Sequence, residues 1–221
     1  MIVVVGGEKG GVGKTRTSTH VAYLAVEEGV DAALLDTDRQ GSAVSWCRIR
    51  NESEHQPTIP CFPLSVNAVK EIVELSKKFD LLVVDIGAQN YRTMLEMASI
   101  ADMVLVPCGP DQQELESTLT VFSALSEISA LRATPLNAHV ILTRTSVREN
   151  SKATKEMYGL FEQCNIPVFE STLANREAWR ASGKTGLSVC ELTGKEYSEK
   201  ANMEIRSVYN EIKKKVKSNG N

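Results

Sequence analysis

The chain has 221 residues, a formal net charge of −3 and a pI near 5.7. These values exclude a protein that is polycationic over its whole surface, so any contact with DNA must come from a local basic patch. The five cysteines are odd in number and far apart, which predicts no disulfide framework or metal cluster and suits a reducing compartment. The first residues carry no signal-peptide pattern, and no apolar stretch approaches the ~20 residues of a membrane span. We therefore expect one cytoplasmic domain over residues 1–221, without a membrane partner.

Short apolar runs alternate with helix-length segments along the chain. Runs this continuous are typical of strands that are buried on both faces of a parallel sheet. Helices are expected over residues 15–28, which end at Gly29, and over residues 68–78 and 111–130. The proline-containing segment 51–63 is expected to be a surface crossing. The predicted fold class is α/β, a mostly parallel sheet flanked by helices, with its site at the carboxyl ends of the strands. The predicted strands are Ile2–Val5, Ala32–Leu35, Leu81–Val84, Met103–Val106, Val140–Leu142 and Ile166–Phe169.

A glycine-rich turn follows the first predicted strand directly and reads K-G-G-V-G-K-T. Its glycines tolerate φ values that a side chain would forbid, so closely spaced N–H groups can wrap an anion. A helix that begins at Lys14 would direct its positive dipole end at the same anion. Lys14 then suits the β and γ phosphates and Thr15 suits Mg²⁺. The nucleotide-binding residues expected here are Lys9, Gly10, Gly11, Val12, Gly13, Lys14, Thr15 and Arg16.

The turn departs from the common pattern G-x-x-x-x-G-K-[ST], because Glu8 stands where the first glycine would be and Lys9 opens the loop. In these residues the sequence resembles the deviant Walker A ATPases, the group that includes ParA, MinD, the nitrogenase iron protein and the ArsA pump ATPase. The resemblance implies a P-loop ATPase that uses ATP and Mg²⁺. It also implies a nucleotide-sandwich homodimer in which Lys9 touches the partner subunit's nucleotide. The alternative for Lys9 is a solvated loop lysine.

Carboxylates stand where two of the predicted strands end. Asp85 can hold Mg²⁺ opposite Thr15, directly or through water. ParA-like proteins carry D-x-D-P-Q after the preceding strand, and the resemblance implies that Asp38 orients the attacking water while Asp36 supports the Mg²⁺ shell. Either aspartate could instead cap the helix expected near Ser42. The catalytic residues expected are Lys9, Lys14 and Asp38, and the metal-binding residues expected are Thr15, Asp36 and Asp85.

Two positions depart from the family pattern. Arg39 replaces the usual proline, which removes a rigid φ and adds a charge near the γ phosphate. The sequence Asp85-Ile86-Gly87-Ala88 replaces D-x-P-P. The N–H of Gly87 is expected to be exposed and to contact that phosphate. Loop geometry and hydrolysis rate are expected to differ from those of relatives at this point.

The ParA-like pattern continues through A-D-M-V-L-V-P at residues 101–107 to the segment that contains Ala178 and Gly183. Thr143 and Arg144 follow a predicted strand, and we expect them to contact adenine or ribose, or else to be simple strand-end residues.

Basic residues accumulate in the C-terminal half, and no helix-turn-helix segment precedes the glycine-rich turn. The chain thus resembles the short plasmid-type ParA proteins. A helical stripe containing Ile205, Val208, Ile212 and Val216 is expected to be buried, with lysines pointing outward to phosphates; the alternative is a merely solvated helix face. The DNA-binding residues expected are Arg176, Arg180, Lys184, Lys213, Lys214, Lys215 and Lys217.

Three functions are compatible with these features. The resemblance favours a weak, Mg²⁺-dependent ATPase for plasmid partitioning, which dimerises with ATP, binds non-specific DNA on the nucleoid and is released when a ParB-like adaptor stimulates hydrolysis. A MinD-like membrane-cycling ATPase would need an amphipathic C-terminal helix, and this tail lacks a terminal Phe, Trp or Leu anchor. An iron–sulfur or metal-pump ATPase would need cysteines paired across a dimer axis.

Overall fold

The computed structural model describes residues 1–64, 69–148 and 151–219. In these ranges seven parallel strands form one sheet with the order β3-β2-β4-β1-β5-β6-β7. The strands are β1 (Ile2–Val5), β2 (Ala32–Asp36), β3 (Cys61–Pro63), β4 (Leu81–Asp85), β5 (Met103–Cys108), β6 (Ala138–Thr145) and β7 (Leu173–Ala174). The helices are α1 (Lys14–Glu27), α2 (Ser42–Glu52), α3 (Val69–Leu75), α4 (Tyr91–Ala98), α5 (Gln112–Ala130), α6 (Lys152–Gln163), α7 (Ala178–Thr185) and α8 (Glu199–Asn219).

Both faces of the sheet are covered, which explains why its strands are apolar without alternation. Val3 and Val5 of β1 belong to the core shared with α1, α2, α7 and α8. Ile2 and Val4 belong to the core on the other face, shared with α3, α4 and α5. Each such buried side chain contributes roughly 1.5–3 kcal/mol relative to exposure. The predicted α/β fold with a parallel sheet is confirmed.

One predicted strand is wrong and one was missed. Residues 166–169 form only a single bridge, between Val168 and Val140, and the sheet continues at Leu173–Ala174 instead. The missed strand, Cys61–Pro63, lies inside the segment interpreted as a surface crossing. It occupies the edge beside β2, and edge strands tolerate proline because one side of their backbone needs no partner. Of the predicted helix 68–78, residue 68 lies outside the described ranges and α3 ends at Leu75.

Helix α8 closes one face of the sheet. Its residues Ile205, Val208 and Ile212 are fully buried, and Val216 is partly buried against the same core. The predicted buried stripe is therefore confirmed. Its apolar side chains are part of the protein core and are not a free amphipathic face.

The strand register brings three loops to one edge of the sheet. Val5 at the end of β1 pairs with Asp85 at the end of β4, and Asp85 pairs with Asp36 at the end of β2. Because all three strands run in parallel, the loops that follow them meet at this edge. The glycine-rich turn and both predicted carboxylate clusters are therefore neighbours.

Candidate functional site

The glycine-rich turn connects β1 to α1 and has the predicted form. Helix α1 begins at Lys14, directly after Gly13, whose φ of 96° lies in the left-handed region. A side chain at position 13 would be strained in this conformation. The Lys14 ammonium is largely buried and donates to the Lys9 carbonyl at 2.5 Å. Burial lowers the pKa of Lys14, while the charges of Asp85 and Asp38 oppose this shift. The turn and its lysine thus form a cationic concavity at a helix N-terminus.

Neighbouring elements hold the turn in place through contacts that the sequence did not indicate. The Thr143 hydroxyl donates to the Val12 carbonyl at 2.6 Å, and the Ser117 hydroxyl donates to the Glu8 carboxylate at 2.7 Å. Glu8, the residue that departs from the common pattern, is therefore a link to α5. Thr143 is almost completely buried, so its contact with the turn favours the strand-end alternative over a contact with adenine.

Arg144 follows Thr143 with a φ of 52° and forms an ion pair with Glu114 of α5. The same carboxylate accepts a hydrogen bond from the Gly109 N–H at 2.6 Å. Arg144 is thus tied to the loop after β5. Its expected contact with the nucleotide stays a prediction.

Thr15 and Asp85 meet at the sheet edge, as expected for a Mg²⁺ site. The Thr15 hydroxyl donates to one carboxylate oxygen of Asp85 at 2.6 Å, and the Ser18 hydroxyl donates to the other at 3.1 Å. Burial raises the pKa of Asp85 to about 7; the Asp36 charge adds to the rise, while the Thr15 and Ser18 hydroxyls and the Lys14 charge oppose it. Within the described residues no ion pair neutralises this carboxylate. Hydroxyl and carboxylate oxygens beside an uncompensated buried acid fit a hard divalent cation.

Asp36 has a different environment from the one expected of a metal ligand. One of its oxygens accepts the Ala43 and Val44 N–H groups at 2.9 and 3.0 Å, and the other accepts the Asp38 N–H at 2.9 Å. Gly41, at the N-terminus of α2, offers no capping side chain. Asp36 therefore caps α2 and positions the Asp38 loop, and the geometry does not support its assignment to the metal.

Asp38 lies over Gly87, and the contact is close. A Cβ placed on Gly87 would be 2.9 Å from the Asp38 carboxylate carbon and 3.1 Å from its Cα. The Gly87 N–H is buried and points to the Thr37 hydroxyl at 3.3 Å. The expectation that this N–H is exposed to phosphate is therefore wrong. Because it has no side chain, Gly87 instead leaves room for Asp38 at the cleft.

A cleft of about 460 Å³ lies between the glycine-rich turn and the Asp38 loop. Its wall includes Gly10, Gly11, Lys14, Thr15, Asp38 and Arg39. A second cleft of about 450 Å³ shares Thr15 and Arg16 with the first and runs between Trp46 and Trp179. The Arg16 guanidinium packs 5.3 Å from the centre of the Trp179 ring. Burial lowers the pKa of Arg16, as do the nearby charges of Arg144 and Arg180.

His20 lies in the second turn of α1, and the sequence analysis did not predict a role for it. Its Nε2 accepts the Val189 N–H at 3.1 Å, so the ring proton lies on Nδ1 and is donated to the Arg16 carbonyl at 2.8 Å. Burial lowers the pKa of His20 to about 3. A neutral histidine therefore joins α1 to the segment after α7.

The predicted DNA-binding residues fall into two groups. Arg176 binds Glu204 of α8 at 2.6 Å, whereas Lys213 of the same helix binds Glu28, at the end of α1. On α8, Glu204 and Lys213 are nine positions apart, which is about 13 Å along the helix axis. The group near α7 contains Arg176, Arg180 and Lys184, and the group near the end of α8 contains Lys213, Lys214, Lys215 and Lys217.

Both groups contain paired and exposed charges. Arg180, Lys184 and Lys195 are exposed around a groove beside α7, where Arg180 lies 3.4 Å from Glu177. In the other group, Lys213 is paired with Glu28 and Lys215 lies 3.6 Å from Glu211, while Lys214 and Lys217 are exposed.

Comparison with known proteins agrees with this geometry. Residues 3–189 match the family model described as the CobQ/CobB/MinD/ParA nucleotide binding domain. The carboxysome distribution protein A of Gloeobacter kilaueensis is 28% identical over 216 residues, which cover 96% of this chain and 93% of that protein. Protein ParA of Rhizobium radiobacter is 24% identical over 199 residues, which cover 88% and 87% of the two chains.

Solved structures show the same fold. An ATP complex of a Cyanothece McdA variant superposes with a TM-score of 0.74 at 14% identity and covers 96% of each chain. A putative plasmid partition protein of Borrelia burgdorferi bound to AMPPNP superposes with a TM-score of 0.67 at 17% identity, covering 97% of this chain and 98% of that one. The prediction of a P-loop enzyme of the MinD/ParA type is confirmed at the level of the family. The chain belongs to the CobQ/CobB/MinD/ParA family of nucleotide-binding ATPase domains.

Proposed function

We propose that this chain is a Mg²⁺-dependent ATPase that moves or partitions a cargo on DNA, with residues 1–221 acting as one domain. The observation that carries the proposal is the meeting of Lys14, Thr15 and Asp38 on the wall of one cleft at the N-terminus of α1, where Thr15 also binds the buried Asp85. The cargo that we favour for this ATPase is a plasmid.

The chain's own groups divide the work of binding MgATP. Lys14 and the backbone N–H groups of residues 10–14 bind the β and γ phosphates, and the α1 dipole favours the same anion. Thr15 and Asp85 hold Mg²⁺, whose charge restores the ionised form of the buried carboxylate. Mg²⁺ neutralises charge on the phosphate oxygens when it is bound. Asp36 supports this arrangement through the Asp38 loop and α2.

Asp38 orients the attacking water in the proposed reaction. Its carboxylate is half-buried at the wall of the cleft, and among the described residues only one of its oxygens accepts a backbone N–H, from Gln40 at 3.0 Å. The second oxygen is available for water. As the resemblance of the glycine-rich turn implies, Lys9 contributes the partner contact of the homodimer. Within the described chain its side chain forms no ion pair.

DNA binding is assigned to the α7 group. Arg180, Lys184 and Lys195 surround the groove beside α7, and the exposed Tyr197 ring lies in the same groove. Arg180 is also close enough to Arg16 to affect its pKa, so this surface adjoins the nucleotide cleft. Exposed cations of this kind neutralise phosphates without reading sequence. An adaptor of the ParB type releases the DNA by stimulating hydrolysis.

The MinD-like alternative has less support from the structure. The apolar residues of α8 that would have to enter a bilayer are packed in the core. Among the described helices none is both long and apolar enough to cross a membrane. The iron–sulfur alternative also has little support, since Cys47 and Cys108 are buried and Cys164 is the exposed thiol within the described ranges.

A second candidate is the positioning of a protein body. It is favoured by the similarity to the carboxysome distribution protein over nearly the whole length of both chains. The two candidates share the ATPase site and differ in cargo. Deletion of the gene should cause plasmid loss in daughter cells under the plasmid proposal and should leave plasmid inheritance intact under the second one.

ATP-dependent retention on a DNA column tests the shared part of the proposal. We expect retention with ATP and Mg²⁺, its loss in Lys14→Ala, and a smaller salt slope in the Arg180→Ala/Lys184→Ala double variant. Each lost phosphate contact lowers the slope of log K against log salt by about 0.9, so the double variant should lower it by about 1.8.

The matched control is Lys70→Ala/Lys155→Ala, which removes two exposed lysines of α3 and α6. It should leave the slope unchanged. Retention without ATP, or retention by Lys14→Ala, would contradict the proposal. A slope that falls only in Lys214→Ala/Lys217→Ala would move the DNA surface to the end of α8.

A further inference from the structure

Arg39 occupies the second position of a four-residue turn. The Gly41 N–H donates to the Asp38 carbonyl at 2.9 Å, and the Gln40 N–H donates to the Asp38 carboxylate at 3.0 Å. This second position accepts proline readily, since proline matches the φ that the turn requires. In the described chain the Arg39 N–H donates no hydrogen bond to protein. The backbone therefore does not require arginine here, and the side chain needs another explanation.

The Arg39 side chain is exposed at the wall of the phosphate cleft, together with Lys14, Thr15 and Asp38. Within the described ranges its guanidinium takes part in no ion pair. The nearby Arg48, in contrast, is paired with Glu52 on the outer face of α2. Arg39 is thus an available cation with five donors beside the proposed site of phosphoryl transfer.

We propose that Arg39 binds the γ-phosphate oxygens of ATP in its own subunit and stabilises the charge that develops on them during hydrolysis. The inference rests on the proposed ATPase function. In the reaction the water oxygen bonds to the γ-phosphorus, the bond to the β–γ bridging oxygen breaks, and its electron pair leaves with ADP. One proton of the water stays on the released phosphate as its hydroxyl group, and the other passes to solvent. The Arg39 guanidinium would lie beside the phosphate oxygens on which negative charge changes during the reaction. Arginines in this role can raise kcat by about 10³–10⁵.

Arg39 is solvent-exposed, so its effect should be smaller than that of an arginine in a closed site. We expect Arg39→Pro and Arg39→Ala each to lower kcat about tenfold and to change the affinity for MgATP less than threefold. Arg39→Lys should retain part of the activity because it keeps a charge without the planar fork. Arg48→Ala is the matched control, since it removes an exposed arginine outside the cleft, and its kcat should equal that of the parent.

A binding experiment tests the same claim without turnover. In fluorescence titrations, Arg39→Pro should weaken binding of ADP with aluminium fluoride, a mimic of the transferred phosphoryl group, about tenfold relative to ADP alone. Unchanged kcat in an active protein, or equal weakening of both ligands, would overturn the role of Arg39 and leave the ATPase assignment intact. Absence of hydrolysis by the parent chain would overturn the proposed function, and this role with it.

Discussion

Replacing Gly87 by alanine probes the spacing between two loops of the site. The new Cβ would lie 2.9 Å from the Asp38 carboxylate carbon, 3.0 Å from its Cβ and 3.1 Å from its Cα. Carbon atoms in ordinary contact are about 3.5–4.0 Å apart. Rotation of the Asp38 side chain cannot relieve the contact with its own Cα, so the whole residue must move by roughly 0.5–1 Å. A shift of about 1 Å at a positioning group costs up to about 100-fold in rate.

We therefore expect Gly87→Ala to lower kcat for ATP hydrolysis by about 10- to 100-fold. Nucleotide affinity should change little, because the three atoms nearest to the new Cβ all belong to Asp38 and none to Lys14 or the glycine-rich turn. Steady-state hydrolysis and equilibrium binding of a fluorescent ATP analogue measure the two effects separately. Gly159→Ala, on α6, is the control, since a Cβ there meets no atom within 4 Å. Normal kcat in Gly87→Ala would refute the idea that Asp38 must lie at this place.

Two further predictions concern stability. The pKa of His20 in the folded chain, about 3, lies below its ordinary value near 6.5, so the unfolded chain binds the extra proton first as pH falls. The His20 contribution to stability is complete above about pH 7 and is lost progressively towards pH 3, by about 2 kcal/mol at pH 5. Because Asp85, with a pKa of about 7, titrates in the same range with the opposite sign, denaturant titrations at about pH 7 and pH 5 should compare the parent with His20→Gln. The parent should lose about 2 kcal/mol more than the variant, and an equal change in both would contradict the assignment. Glu191→Gln should destabilise the fold by about 3 kcal/mol in urea melts, because it leaves the fully buried Arg50 guanidinium without its carboxylate partner at 2.7 Å. A loss below about 1 kcal/mol would show that the Pro57 and Gly186 carbonyls, which also accept from Arg50, satisfy it alone.

Local patterns in the sequence predicted much of the fold and the phosphate site. The apolar runs Ile2–Val5 and Leu81–Val84 are buried on both faces of a parallel sheet, so short apolar runs between helix-length segments predicted them as strands. The glycines and Lys14 of the turn act mainly through their own backbone and the start of the following helix. Such short-range features can be read from residue type and spacing.

Features that depend on long-range contacts were missed or misassigned. Cys61–Pro63 is a strand only because the edge of β2 is open beside it. The Asp36 carboxylate could serve a metal or a helix, and the choice is made by the α2 amides that approach it. The sequence alone does not distinguish the basic residues near α7 from those of α8. The placement of α8 separates them into two groups. No sequence period encodes these tertiary arrangements.

In the proposed mechanism, separate groups in one cleft bind ATP and drive its hydrolysis. Light scattering with and without MgATP, combined with a turnover assay on the same samples, tests this claim in Asp38→Ala and Lys14→Ala. We expect Asp38→Ala to form an ATP-dependent dimer without turnover, since water orientation is separate from phosphate binding, and Lys14→Ala to show neither property. Loss of ATP-dependent dimerisation in Asp38→Ala, or turnover that persists in it, would show that Asp38 does not have this separate role.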